Sequence, residues 1–217
     1  DVDLFIDIGA SLGQYTKEAN IHLHNAEIIS IEADPIRFER LKENLKKFKR
    51  ENDDNNINLI NACVSNSKQN KSIFYITNSN VSGSIKKISH RHTSVKKIFI
   101  NNMRLSNIIN ENKKVLIKFD IEGGEFDALK SLDNHLNKNI QILAELHWWS
   151  NESYKFVYYL LMRKFKIKKI GGHYYFSTNH GSLIFGVFVM INEFLKSKIL
   201  KFKIFRFLKD KIKQLFS

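Results

Sequence analysis

Short apolar runs alternate with helical patterns along the chain. Val2 to Ile6, Ile28 to Ile31 and Ile57 to Ala62 have strand length. Between them, the residues after Gly13 read as a helix to about His24. A second helix follows Pro35, with Phe38, Leu41, Leu45 and Phe48 on one face. The fixed φ of Pro35 suits a first helical turn. From Asn66 to Asn112 the pattern weakens into two short strands, Ser72 to Thr77 and Val95 to Ile100. The polar loop joining them carries Ser82-Gly83-Ser84 and His90-Arg91-His92. A connection this long is commonly functional, and substrate entry is its expected role. Val115 to Phe119, a helix from Gly123-Gly124 to about Leu136, Ile140 to Leu146, a helix from about Ser153 to Phe165, Ile167 to Ile170 and Ile184 to Ile191 complete the series. Strands alternating with helices predict an α/β fold, a parallel sheet wrapped by helices.

The first strand runs into Asp7-Ile8-Gly9-Ala10-Ser11-Leu12-Gly13, a tight glycine turn opening a helix. In a doubly wound sheet such a turn lies at the crevice where ligands bind. A dinucleotide site needs glycines spaced G-x-G-x-x-G, and Ser11 and Gln14 occupy the second and third of those positions, which disfavours NAD and FAD. Glu32 ends the second strand nineteen residues beyond Gly13. An acidic side chain there can accept both hydroxyls of a ribose.

Three further stretches extend the pattern: Ile31-Glu32-Ala33-Asp34-Pro35, Asn61-Ala62-Cys63-Val64-Ser65, and Leu116-Ile117-Lys118-Phe119-Asp120-Ile121-Glu122-Gly123-Gly124-Glu125. Together with the glycine turn they resemble the signatures of the FkbM family of methyltransferases, from about Asp1 to Asn192. Two positions depart from it: Ala33 replaces a usual proline, and Arg104-Leu105-Ser106 a usual Thr-Leu-Asp. The resemblance implies a class I methyltransferase, a Rossmann-like three-layer sandwich. Its mostly parallel seven-stranded sheet has a reversed last strand, with Ile167 to Ile170 and Ile184 to Ile191 as the sixth and seventh strands. It further implies S-adenosyl-L-methionine as methyl donor and a sugar hydroxyl of a glycan, glycolipid or natural product as acceptor. Gly9, Ala10 and Gly13 are then expected at the donor's amino-acid moiety. Asp7 organises that turn or meets the ammonium, Glu32 holds the ribose, Val64 meets the adenine through its backbone, and Asp120 borders the donor.

A hydroxyl is a poor nucleophile until a base or a metal withdraws its proton. Side chains alternate along a strand, so Lys118 and Asp120 share one face and Glu145 and His147 share another. Adjacent strands would bring Asp120, Glu122, Glu145 and His147 to one rim. Asp120, Glu145 and His147 are expected to act as a base cluster or to hold a divalent metal. Glu125 is expected to charge the first turn of the helix that follows, where the helix dipole favours an anion. Trp148-Trp149 adjoins the rim and offers a flat surface for a sugar ring, though alternation sends one ring inward. His90 and His92 have ligand spacing but no third partner.

Hydrophobic residues make up 43% of the 217, enough for one substantial core. The single Cys63 can form no internal disulfide, which points to a reducing, cytoplasmic compartment. The formal charge of +13 is mostly Lys interspersed with Asn and Ile. Without an arginine-rich stripe or an RNA-binding signature, nucleic acid is not the expected partner. The charge gathers at the carboxyl end. Residues 193–217 carry eight Lys/Arg and two acids, with Leu195, Ile199, Phe202, Phe205, Leu208, Ile212 and Leu215 at helical spacing. This segment is expected to be a basic amphipathic helix following a domain of residues 1–192. It either lies on an anionic membrane at its inner face or packs on this domain or a partner. A non-catalytic membrane-associated or interaction module retaining the fold is the competing function.

Overall fold

Alternate residues of the first strand, β1 (Leu4–Ile8), serve two different cores. Leu4, Ile6 and Ile8 join the large core, while Phe5 packs with Ala19 and Ile28 on the opposite face. That division is the pleat of a central strand buried on both sides. The computed structural model describes residues 1–51, 57–77, 83–84, 95–147, 150, 152–196 and 198.

Strands β2 (Glu27–Glu32) and β3 (Ile57–Asn61) pair parallel outward from β1. Two further strands outside this sheet, β4 (Cys63–Val64) and β5 (Lys71–Thr77), join β6 (Gly83–Ser84) and β7 (Val95–Met103) in a small sheet of order β4-β7-β5-β6. The chain then returns to the other side of β1 with β8 (Val115–Phe119), followed by β9 (Ile140–Ala144), β10 (Lys166–Ile170) and β11 (His173–Ser177). The main sheet has the order β10-β11-β9-β8-β1-β2-β3, with only β11 antiparallel to its neighbours. The winding reverses between β1 and β8, and a crevice opens there beyond the carboxyl ends of the strands.

Helix α1 (Gln14–His22) covers Phe5 and Ile28 through Ala19. Helix α2 (Pro35–Glu51) brings Leu41 and Leu45 onto Ala10, with Phe38 and Phe48 beside them, the face its spacing predicts. The opposite layer holds α3 (Glu125–Lys130) and α4 (Ser153–Leu161), whose Ala128, Leu129, Phe156 and Leu160 are wholly buried against Ile117, Phe119 and Ile142. These two helix layers and the sheet form the expected three-layer sandwich.

One expected element is different. Ile184 to Ile191 is not the seventh strand but part of a helix, α5, spanning residues 183–196. Phe185, Gly186, Val189, Met190 and Glu193 turn inward at helical spacing. The reversed strand is β11, which follows the Gly171-Gly172 turn. Helix α5 runs unbroken across position 192, and the remainder of the expected basic helix, 199–217, lies outside the described residues, as do Trp148, Trp149, Ser82, His90 and His92. Among the described residues no helix is long and apolar enough to cross a membrane.

Candidate active site

Gly9 leaves β1 at φ +80°, and a Cβ placed on it would lie 2.0 Å from the carbonyl oxygen of Asp120 at the end of β8. Only glycine lets the two strand ends close so tightly. The amides of Gly9 and Ala10 both donate to the Ile31 carbonyl, at 2.9 and 3.1 Å. Ser11, held at φ +51°, donates its amide to Glu32 Oε2 at 2.8 Å. The Asp34 amide donates to Glu32 Oε1, also at 2.8 Å. One buried carboxylate therefore ties the glycine turn to the end of β2. Each of its oxygens keeps a second lone pair for a ligand. Burial raises the Glu32 carboxyl above its ordinary value, against the lowering pull of the Asp34 and Ser11 amides and the Arg37 charge.

Gly9, Ser11 and Glu32 line a cleft of about 170 Å³ that is open to solvent, together with Val64, Phe74, Asp120 and Glu122. Gly9, Glu32, Val64 and Asp120 are thus brought together as the sequence predicts. Asp7, Ala10 and Gly13 are not. Ala10 packs with Leu41 and Leu45 of α2, and a Cβ on Gly13 would meet Leu41 Cδ1 at 2.7 Å, so a glycine there leaves room for α2. Asp7 is fully buried. It accepts from Thr16 Oγ1 at 2.8 Å and pairs with Lys118 Nζ at 3.1 Å, which organises the turn, and it is not among the residues that line the cleft.

Lys118 lies opposite Asp7 in the register of β1 and β8 and is itself 2% exposed. It also donates to the Gly9 carbonyl at 3.3 Å, approaches Asp120 Oδ2 at 3.5 Å and lies 4.6 Å above the Tyr15 ring. Burial acts to lower its pKa, but the charges of Asp7 and Asp120 win and raise it, so it is a fixed cation beneath the cleft.

The acidic rim gathers around His147. Its Nδ1 lies 2.7 Å from Glu125 Oε1, and its Nε2 lies 3.6 Å from Glu122, 3.8 Å from Glu145 and 3.9 Å from Asp120. Burial favours the neutral ring, yet the Glu125 hydrogen bond and the charges of Glu125, Glu122 and Asp120 push its pKa up to about 9. A protonated His147 holds the surrounding carboxylates in place, and proton acceptance then falls to a carboxylate of the rim. Glu125, expected only to charge a helix turn, also accepts from the Ile121 and Gly123 amides and shapes the loop in which Glu122 stands at φ +54°.

The expected metal set also changes. Among the described residues, Asp120, Glu145 and His173 place one donor atom each within 4.8 Å of one another, a set in which His173 stands where His147 was expected. His173 begins β11, and its Nε2 also faces the Tyr15 hydroxyl at 3.2 Å. Sequence reasoning missed His173 and Tyr15, which reach the rim only through the pairing of β11 with β9 and the placement of α1 over the sheet.

The glycine turn, the Glu32 carboxylate and Asp120 of the acidic rim line one cleft at the end of the sheet. The protein is similar in structure to an FkbM methyltransferase from Methylobacillus flagellatus KT, with a TM-score of 0.57 at 17% identity over 81% of this chain and 43% of that one. A precorrin-6y C5,15-methyltransferase from Geobacter metallireducens GS-15 gives a TM-score of 0.48 at 15% identity, over 81% of this chain and 78% of that one. The chain thus spans less than half the length of the first of these. No curated protein matches it significantly in sequence. The family model for the methyltransferase FkbM domain matches residues 7–169, from the buried Asp7 through the rim to β10, and the chain belongs to the FkbM methyltransferase family.

Proposed function

We propose that the protein transfers a methyl group from S-adenosylmethionine to a hydroxyl oxygen, with a sugar hydroxyl of a glycan, glycolipid or natural product as the acceptor class. The observation that carries this reading is the shared cleft. Glu32, with lone pairs to spare, and Asp120 and Glu122 of the rim all line it. A carboxylate at the end of the second strand suits a ribose, and the negative rim suits a sulfonium cation. Val64 and Phe74 offer the apolar wall that a purine needs.

S-adenosylmethionine supplies an electrophilic methyl carbon, and its sulfur leaves as a neutral thioether when the acceptor oxygen forms the new C–O bond. Glu32 anchors the nucleoside, and the Gly9 bend keeps the turn against the end of β8. Asp120 takes the acceptor's proton, since it borders the cleft while His147 already carries a proton of its own. Glu145 and Glu122 accept hydrogen bonds from neighbouring hydroxyls, which favours a polyhydroxylated acceptor. A divalent cation, if used, would be held by Asp120, Glu145 and His173 and would lower the pKa of the acceptor hydroxyl. The lone, buried Cys63 agrees with a cytoplasmic setting.

The test is transfer of a labelled methyl group to a panel of glycans and glycolipids. Wild type should label at least one acceptor, and Asp120→Asn should lose about a hundredfold in turnover. Undiminished turnover by Asp120→Asn would remove that residue from the chemistry.

A further inference from the structure

Helix α5 turns a continuous apolar face to solvent. Ile184 is 85% exposed, Phe188 65%, Ile191 49% and Leu195 50%, and their spacing of four, three and four residues sets them in one stripe. Leu183 and Val187 widen it on one side. On α4 and just beyond it, Tyr158 and Met162 are 53% and 65% exposed, and an apolar groove between the two helices is lined by Tyr154, Tyr158, Met190, Ile191 and Phe194. A patch of this extent is unusual on a protein surface unless something binds it. The α5 side of it lies beyond residue 169, where the family match ends.

The charges on and after α5 are predominantly basic. Between residues 183 and 198 the only acid is Glu193, which is 2% exposed and paired with Lys196 at 2.7 Å. Lys198 lies 5.3 Å from the Phe194 ring centre, and the Arg163 guanidinium stacks 3.5 Å from that of Tyr159. The sequence continues past Lys198 with six more Lys/Arg and one Asp, in a chain whose formal charge is +13.

We infer that the α4–α5 face is a peripheral docking surface for anionic lipid, its apolar stripe entering the acyl boundary and its cations meeting the headgroups. Charge complementarity selects this occupant. A second copy seated on the same face would bring like charges together, whereas an anionic bilayer offers both an apolar layer and counter-charge. The described part of helix α5 is not long and apolar enough to cross a membrane. The inference is independent of the methyl-transfer reading, because it concerns binding alone.

The experiment is co-sedimentation of the full chain with phosphatidylcholine vesicles, with and without about a third phosphatidylserine, at low and high salt. The chain should bind the phosphatidylserine vesicles, release from them in high salt and ignore pure phosphatidylcholine. Ile184→Asp/Phe188→Asp should weaken binding at least about tenfold. Both positions are exposed, so the melting temperature should hold, and a second double variant, Ile184→Ser/Phe188→Ser, should give the same loss. No binding by wild type, or equal binding by wild type and both variants, would overturn the inference. So would wild-type self-association without vesicles that the same substitutions abolish, which would assign the face to a second copy.

Discussion

His147 and Glu125 meet across 2.7 Å, Nδ1 to Oε1, with 9% and 4% of their side chains exposed. The bond joins the loop after β9 to the first turn of α3. It sets the charge state of the rim, because the carboxylates of Glu122, Asp120 and Glu145 all face the other nitrogen of the same ring.

This pairing predicts a specific pH dependence of stability. His147 has its folded pKa raised from 6.5 to about 9. Its protonated form therefore stabilises the fold fully below about pH 6.5, and the contribution, on the order of 3 kcal/mol, is lost as pH rises towards 9. Thermal melts with a chelator present should show wild type losing stability between those limits and His147→Asn following a flatter curve. Parallel curves would place the proton elsewhere.

Asp7 and Lys118 should behave as a structural pair. Asp7→Asn would leave Lys118 buried with Asp120, at 3.5 Å, as its remaining carboxylate, beside the Gly9 carbonyl and the Tyr15 ring. Urea unfolding should show a loss of about 3 kcal/mol, since removing one partner strands a buried charge.

Gly9 allows a sharper steric test. Gly9→Ala puts a methyl against the Asp120 carbonyl at a φ that side chains rarely adopt, and should cost about 3 kcal/mol or prevent folding. Gly172→Ala meets nothing within 4 Å and should stay within about 0.5 kcal/mol of wild type.

Much of this was legible in the chain, for identifiable reasons. The strands that build the crevice are short apolar runs ending in the residues that line it, so Gly9, Glu32 and Asp120 could be placed from local pattern alone. Lys118 and Asp120 were readable as neighbours on one strand face, but the partner of Lys118 was not. Asp7 lies 111 positions away and meets it only through the β1–β8 register. The contact of Gly13 with Leu41 was not legible, because a turn glycine looks the same in sequence whether it faces a ligand or a neighbouring helix. Helix α5 was read as a strand because Ile184, Phe185, Val187, Phe188 and Val189 are apolar on every side, and periodicity cannot separate helix from strand in such a run. His173 depends on an antiparallel pairing with β9 that no local signal encodes.

The central claim is that Glu32 and the Gly9 bend form a nucleoside site, and calorimetric titration with S-adenosylhomocysteine tests it most directly. Wild type should bind, and Glu32→Ala, shown by its melt to be folded, should bind at least about tenfold more weakly for want of the ribose acceptor. Equal affinity in the two proteins, or no binding to wild type at millimolar ligand, would contradict the account.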